Sequence, residues 1–200
     1  MTEERQNAGE GGKSGQLKIF FGYAAGVGKT YAMLQAALTA EERGMDVVIG
    51  SIAPYRSLED TALAERLRAM ERLEEFDLDR AIRRKPDLII MDDLACENPK
   101  GSRHSRRYQD IRELLKAGIS VYTTVSAQNI ESLNDIVTAI TRVPVKDRIP
   151  DSVFDHADQV ELVDLEPREL LERLRGPGGK GGGASAGNGI FYGGKSDGPA

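Results

Sequence analysis

The chain has little cysteine, no excess of basic charge and no long apolar run, and each of these scarcities excludes a class of protein. Cys96 is the only cysteine, so the chain cannot form an internal disulfide or a metal site built from several thiolates. A formal net charge of −5 gives no general attraction to nucleic acid or to an acidic membrane surface. No window contains the roughly 20 apolar residues that a membrane-spanning helix needs.

The two ends of the chain differ in composition from its middle. Residues 1–16 are polar and lack the apolar stretch of a signal peptide, so we predict a flexible lead-in and a cytoplasmic protein. Residues 176–200 hold eleven of the 22 glycines, which predicts a disordered tail or linker. Residues 17–175 remain as one domain of ordinary size.

Short apolar runs, rich in β-branched residues and without strict alternation, recur along this domain and predict strands buried on both faces. They are Leu17–Gly22, Val47–Ser51, Leu88–Asp92, Val121–Val125 and Val160–Val163. Helical patterns follow them at Lys29–Arg43, Ser57–Leu73, Leu78–Arg84, Arg106–Ala117, Ile130–Thr141 and Pro167–Arg175. The alternation predicts an α/β fold with a mostly parallel central sheet, helices on both faces and a ligand crevice at the carboxyl ends of the strands.

The segment LKIFFGYAAGVGKTYAML, from Leu17 to Leu34, joins an apolar strand to a helix through a glycine-rich loop. This order is typical of the Walker A loop of P-loop NTPase-like proteins, in which main-chain N–H groups surround phosphate oxygens. Lys29 is expected near the β- and γ-phosphates of ATP, and the Thr30 hydroxyl is expected to hold Mg²⁺. The full set of predicted cofactor-binding residues is Gly22, Gly26, Val27, Gly28, Lys29, Thr30 and Tyr31.

The loop departs from the spacing G-x-x-x-x-G-K-[ST] in one place. Tyr23 occupies the position of the first glycine, and Gly22 lies one residue too early. The alternative interpretation is a glycine-rich turn before an ordinary helix, with a lysine that is merely exposed.

A second nucleotide signal is the apolar strand that ends in Asp92 and Asp93, which is similar to a Walker B segment. Asp92 is expected to hold Mg²⁺ through water, beside Thr30. Asp93 is the candidate catalytic residue, since many hydrolysing enzymes have a glutamate there to position water. Aspartate is one methylene shorter, which favours slow hydrolysis. The alternative is a turn in which the two aspartates cap a helix.

Polar residues after two strands complete the predicted crevice. Arg103, Arg106 and Arg107 lie in a basic loop after Asp93, and Arg103 is the candidate for contacting the γ-phosphate through its planar charged group. A solvated run of charge is the other interpretation. Ser126 and Gln128 follow the strand Val121–Val125, where one of them would sense the γ-phosphate.

Four stretches carry a resemblance to a known family. They read KIFFGYAAGVGKTYAML, FDLDRAIRRKPDLIIMDDLA, GSRHSRRYQDIRELLKAGISVYTTVSAQNIESLND and PDSVFDHADQVELVDLEPRELLERL. Over residues 17–175 the chain resembles the N-terminal cytoplasmic domain of the KdpD potassium and osmotic sensor histidine kinases. The resemblance implies ATP binding at a regulatory site through Gly28, Lys29, Thr30 and Asp92. It also implies a protein partner, either a histidine kinase transmitter or the response regulator of a potassium-uptake system.

The chain also departs from that family. Ser126 and Asn129 stand where the family usually has an asparagine and a histidine. The family's stress-protein-like domain, four membrane helices, phosphoacceptor helix and transmitter domain have no counterpart in these 200 residues. We therefore expect no histidine kinase activity from this chain alone.

These observations lead to one expectation and two alternatives. We expect an ATP-binding regulatory input module of potassium and osmotic two-component signalling. The first alternative is a P-loop small-molecule transferase, of the nucleoside kinase or cobalamin adenosyltransferase type, with its second substrate near residues 53–60 or 98–107. The second alternative is a scaffold that keeps the fold without binding nucleotide.

Overall fold

The computed structural model describes residues 14–52, 62–73, 76–142 and 144–164. Within them, five parallel strands form one sheet in the order β2-β3-β4-β1-β5. The strands are β1 (Leu17–Gly22), β2 (Val47–Ser51), β3 (Leu88–Met91), β4 (Ser120–Ser126) and β5 (Gln159–Leu162). The predicted α/β, P-loop NTPase-like fold is confirmed, and each strand lies within about one residue of its predicted bounds.

In the part of the chain that the structure describes, six helices connect and flank the strands. They are α1 (Lys29–Glu42), α2 (Ala62–Ala69), α3 (Leu78–Arg84), α4 (Arg107–Lys116), α5 (Glu131–Thr141) and α6 (Asp151–Asp155), with a 3₁₀ turn at Ala127–Asn129. The sequence did not predict α6 or the 3₁₀ turn, because neither is long enough to show a helical period. The predicted helix Pro167–Arg175, the tail 176–200 and residues 1–13 of the lead-in lie outside the described residues.

Helices cover both faces of the sheet, as the unbroken apolar strands predicted. On one face, Phe20 packs in a cluster with Met33 and Leu34 of α1. On the other face, Ile19 and Ile89 belong to a cluster that includes residues of α3 and α4. Apolar side chains that alternate along β1 therefore enter two different cores, which is why the strand shows no polar face.

The strand β5 is an exception, and the prediction that it is buried on both faces is wrong. Val160 is 47% exposed and Leu162 is 66% exposed. In the described part of the chain β5 is one of the two edge strands and pairs only with β1. The other edge strand, β2, is buried, so an edge position alone does not expose a strand, and the apolar composition of β5 did not reveal its exposure.

The contacts of the domain begin before Leu17, where the sequence analysis set the boundary. The Gly15 amide donates to the Leu115 carbonyl oxygen at 2.8 Å, and the Val121 amide donates to the Gln16 carbonyl oxygen at 2.8 Å. Gln16 therefore continues the pairing of β1 with β4, while Gly15 contacts the end of α4. Among the described helices, none combines the length and the apolar character that crossing a bilayer would take.

The strand order decides which loops meet. Because β4 lies between β1 and β3, Gly22 is paired with Ser126, and Met91 is paired with Thr123. The carboxyl ends of these three parallel strands form one edge of the sheet. The glycine-rich loop, the aspartates after β3 and the last residues of β4 are therefore adjacent.

Candidate functional site

The glycine-rich loop runs from the end of β1 to the start of α1. Gly26 and Gly28 have φ angles of 86° and 101°, in the left-handed region that favours glycine. A Cβ atom on Gly22 would lie 2.6 Å from Cγ2 of Val27 and 3.0 Å from Cδ of Lys29. The tight path of this loop therefore requires glycine at all three positions.

The Lys29 ammonium group lies inside the loop. Its Nζ donates to the Ala24 carbonyl oxygen at 2.7 Å. Burial lowers the pKa of Lys29, while the nearby carboxylates of Asp92 and Asp93 act in the opposite direction. A cationic donor and the N-terminus of α1 thus lie beside each other, which suits an anion.

Two tyrosines flank the loop. Tyr23 is 39% exposed in the place where the standard pattern has its first glycine, and Tyr31 is 49% exposed on the first turn of α1. The Tyr31 hydroxyl accepts a hydrogen bond from Nε2 of Gln35 at 3.1 Å. Both rings are directed at least partly to solvent beside the loop.

The Asp92 carboxylate is the centre of the polar network. The Thr30 hydroxyl lies 3.1 Å from each of its oxygens, and the Thr124 hydroxyl donates to Oδ1 at 2.6 Å. The Asp93 amide donates to the same Oδ1 at 3.1 Å. Asp92 and Thr30 are only 4% and 7% exposed. The structure therefore joins the two residues that the sequence analysis assigned to Mg²⁺.

Thr124 is the member of this network that the sequence analysis missed. Ser126 and Gln128, which follow the predicted strand, were the polar groups named there, and Thr124 was not among them. Only the position of β4 between β1 and β3 shows that Thr124 reaches Asp92. Ser126 is buried beside Gly22, whereas the Gln128 carbonyl oxygen accepts from Asn134.

Asp93 adopts a left-handed backbone conformation, with φ of 60°. Its Oδ1 accepts a hydrogen bond from the Ala95 amide at 3.2 Å, so its carboxylate closes the turn that follows β3. Burial raises the pKa of Asp93, and the adjacent Asp92 carboxylate raises it further. This geometry fits the turn-capping alternative, and the catalytic role of Asp93 stays a prediction.

The three arginines of the basic loop have different surroundings. Arg103 forms ion pairs with Asp79 and Glu113, away from the carboxylates after β3. Arg106 pairs with two other acidic residues, at 3.0 Å each. Arg107 Nη1 instead donates to the main-chain oxygens of Asp92 and Asp93. A contact between Arg103 and a γ-phosphate stays a prediction, and it would require these ion pairs to open.

The oxygen atoms of Thr30 and Asp92 fit a hard cation such as Mg²⁺. No group of three or more acidic, histidine or cysteine side chains that could hold a metal alone occurs within the described ranges. A Mg²⁺ ion at Thr30 would therefore need phosphate oxygens or water to complete its coordination.

The parallel sheet, its strand order and the glycine loop between β1 and α1 define a P-loop NTPase-like α/β domain. The family model described as the osmosensitive K⁺ channel His kinase sensor domain, KdpD, matches residues 13–179. The chain belongs to this family.

Relatives with the name "Sensor protein KdpD" align over most of the chain. The protein from Clostridium acetobutylicum is 54% identical over 169 residues, and that from Escherichia coli K12 is 47% identical over 170. The protein from Mycobacterium tuberculosis H37Rv is 42% identical over 171 residues. These matches cover 80%, 80% and 81% of this chain but 19%, 19% and 20% of the relatives. The chain thus spans about a fifth of their length.

Among solved structures, the flagellar accessory protein FlaH from Methanocaldococcus jannaschii is 14% identical with a TM-score of 0.40. The match covers 66% of this chain and 70% of FlaH. A similarity of this size adds nothing to the topology described above.

Proposed function

We propose that this domain binds ATP with Mg²⁺ at the glycine loop and acts as a regulatory input module of potassium and osmotic two-component signalling. Membership of the sensor-domain family supports the signalling role. Its partner would be a histidine kinase transmitter or the response regulator of a potassium-uptake system. The domain responds to ATP by changing the face that it offers to that partner.

The contact between Thr30 and Asp92 is the observation that carries this proposal. The two residues are 62 positions apart in the chain, and the fold brings hydroxyl and carboxylate to 3.1 Å at the end of a glycine-rich loop. A structural capping role would not need a lysine and left-handed glycines beside the pair. Magnesium bound to a triphosphate takes hard oxygen ligands of this kind.

Binding of the triphosphate would use groups that now contact one another. The Lys29 ammonium would exchange the Ala24 carbonyl oxygen for phosphate oxygens, while the loop amides and the start of α1 hold the rest of the anion. Thr30 and Asp92 would hold Mg²⁺, the latter through water. The turn at Asp93 is bonded to Asp92, so a change in the position of Asp92 reaches the loop that follows.

The domain is expected to turn ATP over slowly, because Asp93 closes a turn with its carboxylate and is shorter than glutamate. A panel of nucleosides tests the transferase alternative. Phosphoryl transfer at about 1 to 100 per second, the usual range for kinases, would favour a transferase over a regulator.

Replacement of Lys29 by alanine tests the nucleotide site. Lys29→Ala should weaken ATP·Mg²⁺ binding by at least about tenfold, because a charge-assisted contact contributes about 1.5 to 3 kcal/mol. Isothermal titration calorimetry measures the affinity, and circular dichroism verifies the fold. Lys116→Ala is the matched control, since Lys116 is exposed in the last turn of α4, at the opposite edge of the sheet. Equal affinities for all three proteins would refute the proposed site.

A further inference from the structure

A cleft of about 1050 Å³ lies beside the nucleotide site. It is bounded by the end of β2, the start of α3 and the loop 98–103. None of the described residues that line it belongs to the glycine loop. The cleft and the site at Thr30 and Asp92 are therefore separate, and Arg107, which lines the cleft, also contacts the main chain of Asp92.

The acidic groups of this cleft are already engaged. The Asp77 carboxylate accepts from a main-chain amide of α3 at 2.9 Å, and Asp79 pairs with Arg103. The buried Asp110 carboxylate accepts from Nδ2 of Asn98 at 2.6 Å. Each of these carboxylates therefore already accepts a hydrogen bond within the protein, and Asp79 is also paired with a cation.

Of the basic residues that line the cleft, Arg103 is paired with acidic groups, whereas two others are not. Arg72 and Lys100 are exposed, and neither side chain forms an ion pair with any residue that the structure describes. Arg107 Nε is buried and has no hydrogen-bond partner there. A buried donor without a partner is unfavourable, so a ligand that supplies an acceptor for Arg107 is favoured.

We propose that this cleft is a second binding site, for a small molecule with a phosphate or carboxylate group. Arg72, Lys100 and Arg107 hold the anion, and the partly buried Ile52 and Phe76 contact the apolar part of the ligand. Four basic and three acidic residues are among the described residues that line the cleft, and this excess of positive charge favours an anionic ligand. This site is additional to the nucleotide site and does not depend on it.

Arg107 also connects the cleft to the nucleotide site, because it contacts both. The same guanidinium donates to the carbonyl oxygens of Asp92 and Asp93. An anion that draws this group into the cleft weakens those two bonds and so changes the turn that positions Asp92. Arg107 is thus a positioning residue, and occupancy of the cleft is expected to alter ATP affinity reciprocally.

The test uses the Lys29→Ala protein, in which anion binding at the glycine loop is impaired. Inorganic phosphate and, in a separate arm, malonate are titrated into ¹⁵N-labelled protein at constant ionic strength. We expect saturable shifts of the Ile52 and Gly101 amides, together with the Asp93 amide. A stronger response to phosphate identifies a phosphoryl ligand, and a stronger response to malonate identifies a carboxylate.

Arginine variants of the Lys29→Ala protein show whether the anions bind in the cleft. Arg72→Gln should weaken binding about tenfold, as the loss of one charge-assisted contact predicts. Arg107→Gln should abolish the shift of the Asp93 amide. Arg148→Gln, at an exposed arginine outside the cleft, should change neither.

Two results would overturn the inference: absent shifts at the cleft amides with both anions, or equal binding by the Arg72→Gln and Arg148→Gln proteins. Arg72 is exposed, so its replacement leaves the fold intact and the comparison stays decisive even if Arg107→Gln unfolds. If wild-type protein fails to bind ATP while the Lys29→Ala protein binds phosphate at the cleft, only the proposed nucleotide function fails.

Discussion

The Asp92 carboxylate is buried and accepts hydrogen bonds from Thr30, Thr124 and the Asp93 amide. A carboxylate removed from water needs such donors, because an uncompensated buried charge is strongly unfavourable. Each donor comes from a different part of the chain. The network therefore fixes the position of Asp92 relative to the start of α1, which is what a Mg²⁺ site next to Thr30 requires.

Replacement of Thr124 tests this network. Thr124→Val keeps the shape of the side chain but removes the hydroxyl, which both donates to Asp92 and accepts from the Asp93 amide at 3.1 Å. We expect a loss of about 1 to 3 kcal/mol in the free energy of unfolding, because buried polar groups are left without partners. Urea denaturation measures it. Thr124→Ser keeps the hydroxyl, so its free energy of unfolding should decrease clearly less. Equal decreases for the two variants would contradict the role of the hydroxyl.

Asp93 predicts a pH dependence of stability. Its pKa in the folded protein is raised, so the folded state holds this proton more tightly than the unfolded state. The stability that Asp93 contributes is present below its ordinary pKa of 3.8 and is lost as the pH rises through the raised pKa. Asp93→Asn, which tolerates the left-handed conformation, should therefore be more stable than wild type at pH 7.

Denaturation curves from pH 3 to 8 measure this difference. The advantage of Asp93→Asn should shrink as the pH falls and disappear below about 3.8. Asp135→Asn is the control, because the Asp135 side chain is 84% exposed. A constant difference between Asp93→Asn and wild type across the range would show that titration of Asp93 is not its cause.

The glycine loop is the element on which the site depends. It leaves β1 at Gly22, and α1 begins at Lys29, directly after Gly28. Val27, 3% exposed, anchors the middle of the loop. Gly22 lies against the side chains of Val27 and of Lys29, so contacts within the loop and with the first residue of α1 set the shape of the loop.

Gly22→Ala should distort this element. The new Cβ would lie 2.6 Å from Val27 Cγ2, which forces Val27 or Lys29 to move. Overpacking of this kind costs about 1 to 3 kcal/mol, and we expect a weaker affinity for ATP as well. Gly44→Ala is the matched control, since nothing lies within 4 Å of its Cβ although its φ is +88°. Gly44→Ala should lower the free energy of unfolding by about 1 to 2 kcal/mol and leave the ATP affinity unchanged. If Gly44→Ala weakened ATP binding as much as Gly22→Ala does, the loss of affinity would not be specific to the glycine loop.

The five strands and the helices α1 to α5 were predictable from the sequence, in their order along the chain. The helix α6, the 3₁₀ turn and the order of the strands in the sheet were not. Apolar runs such as Leu88–Asp92 show that a strand is buried, but they do not show its neighbours. The placement of β4 between β1 and β3 results from packing across the whole sheet. Thr124 was missed for that reason, and the exposure of β5 was missed because an edge strand can have the same apolar composition as an inner one.

Within the site, local motifs were more informative than charge. The spacing of Gly28, Lys29 and Thr30 places these residues together in any fold, so their proximity was predictable. To predict that Thr30 lies beside Asp92, both the glycine loop and the acidic end of β3 had to be recognised. The basic loop gave only three candidate arginines, and ion pairs across α3 and α4 decide that Arg107, not Arg103, lies against the aspartates.

For the molecule as a whole, the central claim is that a triphosphate binds at the glycine loop. Titration of ¹⁵N-labelled protein with ATP·Mg²⁺, followed by its amide resonances, tests this most directly because it both detects binding and locates it. We predict saturable shifts of the Gly26, Gly28, Lys29 and Thr30 amides, with a smaller response to AMP than to ATP. Unchanged resonances of these four amides at millimolar ATP·Mg²⁺, in a protein whose other resonances show it to be folded, would contradict the account.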